Sequence, residues 1–365
     1  MNLVEQLHAA GLTGRGGAAF STGVKVRAAH DHGAHLVVNA CDGEIGAAKD
    51  AHVVEHHLEE LLRGASLVAH GRRRSILFAA HRGSRTAALL AATGADVLEV
   101  PDRYVSSEET SLVSAAYGGL ARPMTKRRPF VMGGRDADGR KVPATVVLNA
   151  ETVWRIAQVE AYGPTWFRSF GTEAEPGPRL VTLTGAVAWP GVLETQAGVP
   201  VADLLAAAEP AAGAEYLVVG GLGGVVAPAA ETRRLRWTSE DLSRVGGSLG
   251  PGIIDVLDPG RCPVHVVTSY LRHAAGETAG QCGPCMFGVP AVSAAWDRLV
   301  ETPTRQAVHD LPTHPGLLPK RGPCRFPDGG GRFPAPAPRV LEPHLAAHVA
   351  GTCPTEGAMS RAHHV

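Results

Sequence analysis

No apolar run in this 365-residue chain approaches the ~20 residues that a bilayer-spanning helix requires, so direct membrane insertion is not expected. Excess charge of one sign is also missing: 35 Lys+Arg balance 35 Asp+Glu. With no basic field to attract it, nucleic acid is not an expected partner. The first five residues show neither the basic nor the apolar region of a secretory signal and read as a helix start. No internal repeat is present, and the Gly-Lys-Ser/Thr of a Walker-type phosphate loop is absent. Cysteine is scarce, at six residues. A cytoplasmic location is expected, where clustered Cys point to metal or redox chemistry rather than disulfides.

What is present is an alternation of strand and helix patterns. Residues 36–40, 75–80, 96–100 and 145–149 read as short buried strands. Residues 52–62 and 86–93 show helical spacing between them, the first stopping at Gly64. Strand–helix–strand order implies an α/β fold with a Rossmann-like parallel sheet. Residues 121–142 read as a long loop. A Pro-Gly-Pro cluster at 176–178 marks a boundary, after which strand, turn, strand, helix and strand patterns suggest a small ubiquitin-like module. Strands are expected at 252–257 and 263–267, helices at 289–299 and 341–349, and loop over 311–338. The expected division is 1–175, 176–250 and 251–365.

Three stretches of the first segment carry candidate chemistry. Residues 11–25 contain five Gly together with Arg15 and Lys25. Glycines let main-chain amides approach an anion, and Arg can pair with phosphate; a plain turn is the other reading. Residues 38–46 follow the first strand, at the edge where open α/β sheets bind ligands. There Asn39, Asp42 and Glu44 are candidate hydrogen-bonding groups, with a solvated turn as the alternative, and Cys41 reads as a buried small residue. Tyr104, Glu108 and Glu109 follow the third strand, and Ser106 or Ser107 is placed to cap the next helix.

Taken in order, these stretches resemble the NADH-binding flavin subunit of respiratory complex I and the related diaphorase subunits of NAD-linked hydrogenases and formate dehydrogenases. The family motif GRGGAGFPTGLKW is matched at residues 14–25, NADEGEPGTFKD at 39–50, YxxGEET at 104–110 and NNVET at 148–152. Residues 184–191 echo the family's β-grasp, or SLBB-like, module, and 248–252 its SLGSGG stretch. The resemblance implies that Gly14, Arg15, Gly16, Gly17, Lys25, Asn39 and Asn149 contact FMN. It further implies that Phe20, Glu44, Tyr104 and Glu109 line the NADH site. Electrons would pass from NADH through FMN and an iron–sulfur cluster to a ferredoxin-like or other redox subunit, peripheral to a membrane-bound complex. The flavin carries that reaction; the protein orients its parts.

A C-terminal helical iron–sulfur region is implied by Cys282, Cys285 and Cys324, which match three ligands of the family's SCGxCxPCR motif and its distant fourth Cys. The first ligand position is Ala279. A Cys-x-x-Cys pair turns two thiolates to one point, as a cluster, zinc or a redox dithiol requires. His273, Glu277 and Cys353 are candidates for the remaining corner of a 4Fe–4S cluster by chain position, with a three-iron form as the alternative. Cys262 and the scattered His read as core or solvated groups. Elsewhere Cys41, Ser107 and Leu148 replace family Asp, Gly and Asn. Those departures are the basis of a second reading: an electron carrier or scaffold that keeps fold and cluster without oxidising NADH.

Overall fold

The computed structural model describes residues 1–72, 75–136 and 138–353. Helix α1 (Leu3–Ala10) opens on a reciprocal cap: the Glu5 amide donates to the Asn2 side chain and the Asn2 amide to the Glu5 carboxylate. Two orphan end donors are thereby satisfied, so a helix starts in the first turn, as expected. Helix α2 (Thr22–His32) follows behind the Ser21 cap.

The parallel sheet is assembled from β1 (His35–Asn39), β2 (Ile76–His81), β3 (Val97–Val100) and β6 (Thr145–Asn149), in the order β3-β2-β1-β6. Side chains of successive strand residues fall on opposite faces. Leu36, Val38, Val146 and Leu148 accordingly join one buried cluster, Val37, Ala79 and Val147 another. The first cluster is covered by α1, α2, α3 (Lys49–His56), α4 (Leu58–Val68), α5 (Arg85–Ala92) and α7 (Ala150–Arg168). The second packs on α6 (Glu109–Ala116) through Leu112 and Val113.

Several expected elements are revised. The helix read over 52–62 is two helices, broken at His57, and α4 runs through Gly64 to Val68. A Cβ on Gly64 would stand 2.1 Å from the Val153 carbonyl oxygen. The glycine therefore permits close approach of α4 to α7 and does not end the helix. The expected 121–142 loop carries a small antiparallel pair, β4 (Gly134–Arg135) and β5 (Lys141–Val142). Neither Ser106 nor Ser107 caps α6; the Glu108 carboxylate accepts from the Thr110 and Ser111 amides.

A five-stranded sheet comprises β7 (Pro178–Gly185), β8 (Gly191–Gln196), β9 (Tyr216–Val219), β10 (Val225–Pro228) and β11 (Ile253–Val256), ordered β10-β9-β11-β7-β8. Helices α8 (Val201–Ala208), α9 (Ala229–Thr232) and α10 (Ser239–Leu242) lie between its strands in sequence. The chain forms two compact units: Met1–Thr182 with Val192–Val199 and Gly250–Gly252, and Leu183–Gly191 with Pro200–Leu249 and Ile253–Val365. These units do not follow the sequence boundaries at 176 and 250.

Residues 263–267, read as a strand from their Val content, open helix α11 (Pro263–Gly276) instead. Pro263 sits in its first turn, where the fixed φ favours a helix and the missing N–H costs nothing. Buried Val264, Val267, Leu271 and Ala274 follow helical spacing. The second unit continues with α12 (Val289–Glu301), α13 (Arg305–Asp310), α14 (Phe326–Arg332), α15 (Ala337–Val340) and α16 (Glu342–Val349). Thus α14 and part of α15 occupy a stretch expected to be loop.

Candidate functional site

The chain leaves β1 toward β2 on one side, while β6 pairs with β1 on the other. Such a reversal opens a crevice at the carboxyl ends of the two strands, the place where open α/β sheets hold ligands. Asn39 and Asn149 are register partners at those ends. Asn39 Nδ2 donates to the Ser107 carbonyl at 2.9 Å, and its Oδ1 accepts from the Cys41 amide. Asn149 is tied more firmly. Its Nδ2 donates to Asp50 at 2.7–2.8 Å, and its Oδ1 accepts from Lys49 Nζ at 2.7 Å.

The glycine-rich stretch lies against this edge. The Gly14 amide donates to the Phe20 carbonyl, closing a loop in which Gly17 and Ala19 have positive φ, 99° and 49°. A Cβ on Gly16 would be 3.5 Å from Asn149 Cβ, and one on Gly17 3.7 Å from Gly250 and Pro251. Phe20 is 51% exposed, an aromatic face left open at the loop's end. Lys25 Nζ is 3.3 Å from the Val147 carbonyl. Burial lowers its pKa, against the pull of nearby Glu109.

Arg15 departs from the sequence expectation. Its amide donates to Thr152 Oγ1, and its guanidinium donates to the Pro176 and Pro178 carbonyls. The side chain is buried beside the Phe167 ring. Both bonds come from Nη2, while Nε and Nη1 are buried without a hydrogen-bond partner among the described residues. The loop can still offer an anion its main-chain amides, those of Gly16 and Gly17 among them.

The acidic loop divides its labour. Asp42 caps α3, accepting from the Asp50 and Ala51 amides at 2.9 and 2.7 Å. Burial and the neighbouring Asp50 charge raise its pKa to about 7, with Lys49 opposing. Glu44 instead accepts from the Tyr104 hydroxyl at 2.7 Å. Glu109 pairs with Lys126 Nζ at 2.7 Å. Cys41 is buried in the cluster beneath the sheet, and its thiol pKa is pushed up by burial and adjacent carboxylates.

Sequence reasoning assigns no role to Lys49, Asp50 or Glu151, although all three stand within the quoted motifs. They form a buried ionic network. Lys49 Nζ lies 2.9 Å from Asp50 and 3.3 Å from Glu151, and Arg155 reaches Glu194 at 2.6 Å. Burial alone would lower the Lys49 pKa and raise that of Glu151. The opposed charges win: Lys49 is raised and Glu151 lowered, so both stay ionised. Both positions lie on the edge that holds Asn149.

In the second unit, Cys285 is buried on a π-turn (Pro284–Gly288), a deformation frequent at functional sites. Burial and the neighbouring Cys282 thiol raise the Cys285 pKa, and the main chain at Ala279 and Gly280 opposes the rise. A Cβ on Gly322 would lie 3.4 Å from Cys282 Sγ, which brings the Cys324 turn alongside. None of the six Cys is in a disulfide. Cys353, a candidate fourth ligand by chain position, is gathered elsewhere, with Cys262 and His348.

The parallel sheet with its switch point between β1 and β6 defines an open α/β domain, of the class that holds ligands at such an edge. Residues 7–158 match the Nuo51 FMN-binding domain family. The chain is 28% identical over 317 residues to the F 2 subunit of NADH-quinone oxidoreductase from Rhizobium meliloti, covering 79% of this chain and 74% of that protein. Identity to the corresponding F subunit of Streptomyces coelicolor is also 28%, over 315 residues, covering 79% and 69%. An NAD+-reducing NiFe hydrogenase in the H2-reduced state superposes with a TM-score of 0.82 at 27% identity, covering 96% of this chain. The chain spans 62% of that hydrogenase chain's length. The chain is thus similar to NADH-quinone oxidoreductase F subunits over most of its length, and its residues 7–158 carry the match to the FMN-binding domain family.

Proposed function

We propose that this chain is an NADH-oxidising electron-transfer subunit that binds FMN and NADH in the β1–β6 crevice and an iron–sulfur cluster on Cys282, Cys285 and Cys324. The observation that carries the reading is the register pair Asn39 and Asn149 beneath a glycine loop whose Gly16 stands over Asn149. Bound FMN supplies the chemistry, accepting hydride from NADH and releasing electrons singly.

The donor set suits an anionic, planar group. Gly16 and Gly17 offer amides, and Gly14 closes the loop that presents them. Lys25 supplies a partly desolvated ammonium, and the Asn39 and Asn149 side chains stand at the ring edge. Arg15 holds the loop from behind. Phe20, Glu44, Tyr104 and Glu109 frame the nucleotide side, where Tyr104 fixes the Glu44 carboxylate. Lys49, Asp50 and Glu151 hold Asn149 in place.

The carrier-only alternative rests on Cys41, Ser107 and Leu148. Cys41 and Leu148 are buried in apolar clusters of the sheet. Those two departures alter packing under the crevice, not the donors within it. The relatives are NADH-quinone oxidoreductase components, which favours the NADH reading.

Residues 176–250 are read as the β-grasp, SLBB-like module and the C-terminal helices as the cluster-bearing region. The receiving partner is a ferredoxin-like or other redox subunit. Among the described residues no helix is long and apolar enough to cross a membrane, which suits a cytoplasmic place peripheral to a membrane-bound complex. The test is an anaerobic visible spectrum before and after NADH. Flavin bands bleached by NADH support the reading; an iron–sulfur shoulder without flavin leaves only the carrier.

A further inference from the structure

Three groups that the flavin and cluster readings do not use converge in the second unit. Cys262, His348 and Cys353 are all buried, and their ligand atoms lie within 4.8 Å of one another. Cys262 Sγ is 3.1 Å from His348 Nε2. We propose that Cys262, His348 and Cys353 form a second metal site, a tetrahedral zinc site that fastens the segment after α16 to the start of α11.

The donor set and its spacing select the ion. Two thiolates and an imidazole are the ordinary ligands of structural zinc, with Zn–S ~2.3 Å and Zn–N ~2.0 Å, which puts ligand atoms about 3.5–4 Å apart. The three atoms are already near that spacing. Thiolates on an iron–sulfur cluster instead attach to different irons. Donors that converge this closely suit one ion.

The local structure prepares the ligands. Cys262 is the N-cap of α11, so its sulfur stands at the amino end of that helix. His348 projects from the last turn of α16, and Cys353 follows the left-handed turn at Gly351. His265, in the first turn of α11, has its ring 5.3 Å from that of His348.

This site is not the Cys282–Cys285 site. Cys262 precedes the first residue of α11, whereas Cys282 follows its last. A helix of that length spans about 20 Å.

Metal analysis of the purified full chain tests the proposal. About one zinc per chain is expected in addition to iron. Cys353→Ser and His348→Ala should each lose the zinc and keep the iron. The double variant Cys282→Ser/Cys285→Ser should lose the iron and keep the zinc. Should a variant fail to fold, the parent protein stripped by a chelator and titrated with Co2+ should develop thiolate-to-cobalt absorption and tetrahedral d–d bands at one equivalent. Zinc that survives Cys353→Ser but vanishes with the Cys282/Cys285 pair would overturn the proposal. So would absence of zinc uptake, or a Cys262–Cys353 disulfide found by alkylation and mass spectrometry. Iron content and flavin reduction are read separately, so failure here leaves the proposed function standing, and the reverse.

Discussion

The phenol of Tyr104 donates to Glu44 Oε2 across 2.7 Å, joining two motifs that lie 60 residues apart in the chain. With the Ile45 amide on Oε1, the bond holds both oxygens of the carboxylate. If Glu44 addresses NADH, Tyr104→Phe costs orientation of that acceptor, about 1 kcal/mol or a roughly fivefold rise in KM for NADH. Flavin content should not change. Steady-state kinetics with an artificial acceptor, alongside flavin quantitation, check this. An unchanged KM with loss of flavin would place the pair on the wrong ligand.

Ser107 fills the space over Gly43. A Cβ on Gly43 would stand 1.9 Å from Ser107 Oγ and 2.7 Å from its Cβ. Gly43→Ala should therefore destabilise by about 1–3 kcal/mol through overpacking. Ser107→Gly in the same chain removes both clashing atoms and should restore most of the loss. Urea denaturation of the two single variants and the double variant measures the coupling. Additive effects would mean that the loop moves aside rather than clashing.

The buried charges around Lys49 form one unit. Lys49→Met leaves Asp50 and Glu151 without their shared cation, and uncompensated buried charge typically costs about 3–5 kcal/mol. The same change removes the Lys49 bond to Asn149 Oδ1 and leaves Asp50 holding that amide, so flavin retention should fall as well. Chemical denaturation and flavin content measure the two effects. Full stability in Lys49→Met would show that the carboxylates can share a proton instead.

Much of this is legible in the unfolded chain. Strand β6 reads with its observed limits because five apolar or end-defining residues are bounded sharply. The ordered motifs place Asn39, Asn149, Glu44 and Tyr104 along one sheet edge. What fails has local causes. The Val-rich start of α11 reads as strand, because β-branched residues mark strands unless the proline at the first helical turn is weighed. Gly64 reads as a stop, because nothing in a single sequence announces that another helix's carbonyl lies 2.1 Å from its missing side chain. Arg15 reads as an anion ligand because spacing carries no direction. Cys262, His348 and Cys353 stand too far apart in sequence for any short motif to join them.

Asp42 makes stability depend on pH in a defined direction. Its carboxyl titrates near 7 in the folded chain, raised first by burial and then by Asp50, against about 3.9 unfolded. Between those values the folded state holds a proton that the unfolded state has released. Its contribution is therefore lost as pH rises from about 4 to 7. Asp42→Asn keeps an acceptor for the α3 amides and should flatten that slope, gaining relative stability above pH 7. Urea midpoints of parent and variant at pH 5 and pH 8 decide it. A larger deficit of the variant at pH 8 than at pH 5 would reverse the sign argued here.

The main chain at Ala279, the position that the motif resemblance assigns to a first ligand, lowers the Cys285 pKa against the effect of burial. On the proposed reading, Cys285→Ser removes a thiolate from a site with only three matching Cys and should abolish the iron signal. Ala279→Cys adds the fourth thiol beside that same sulfur. A three-iron cluster should then take up one further iron, and its electron paramagnetic resonance should change to that of a four-iron centre on reduction. Iron analysis and spectra of parent and variant, both prepared anaerobically, make the comparison. If Ala279→Cys leaves iron content and spectrum unchanged, another side chain already fills the corner. Iron retained at the parent level in Cys285→Ser would remove these residues from the cluster altogether.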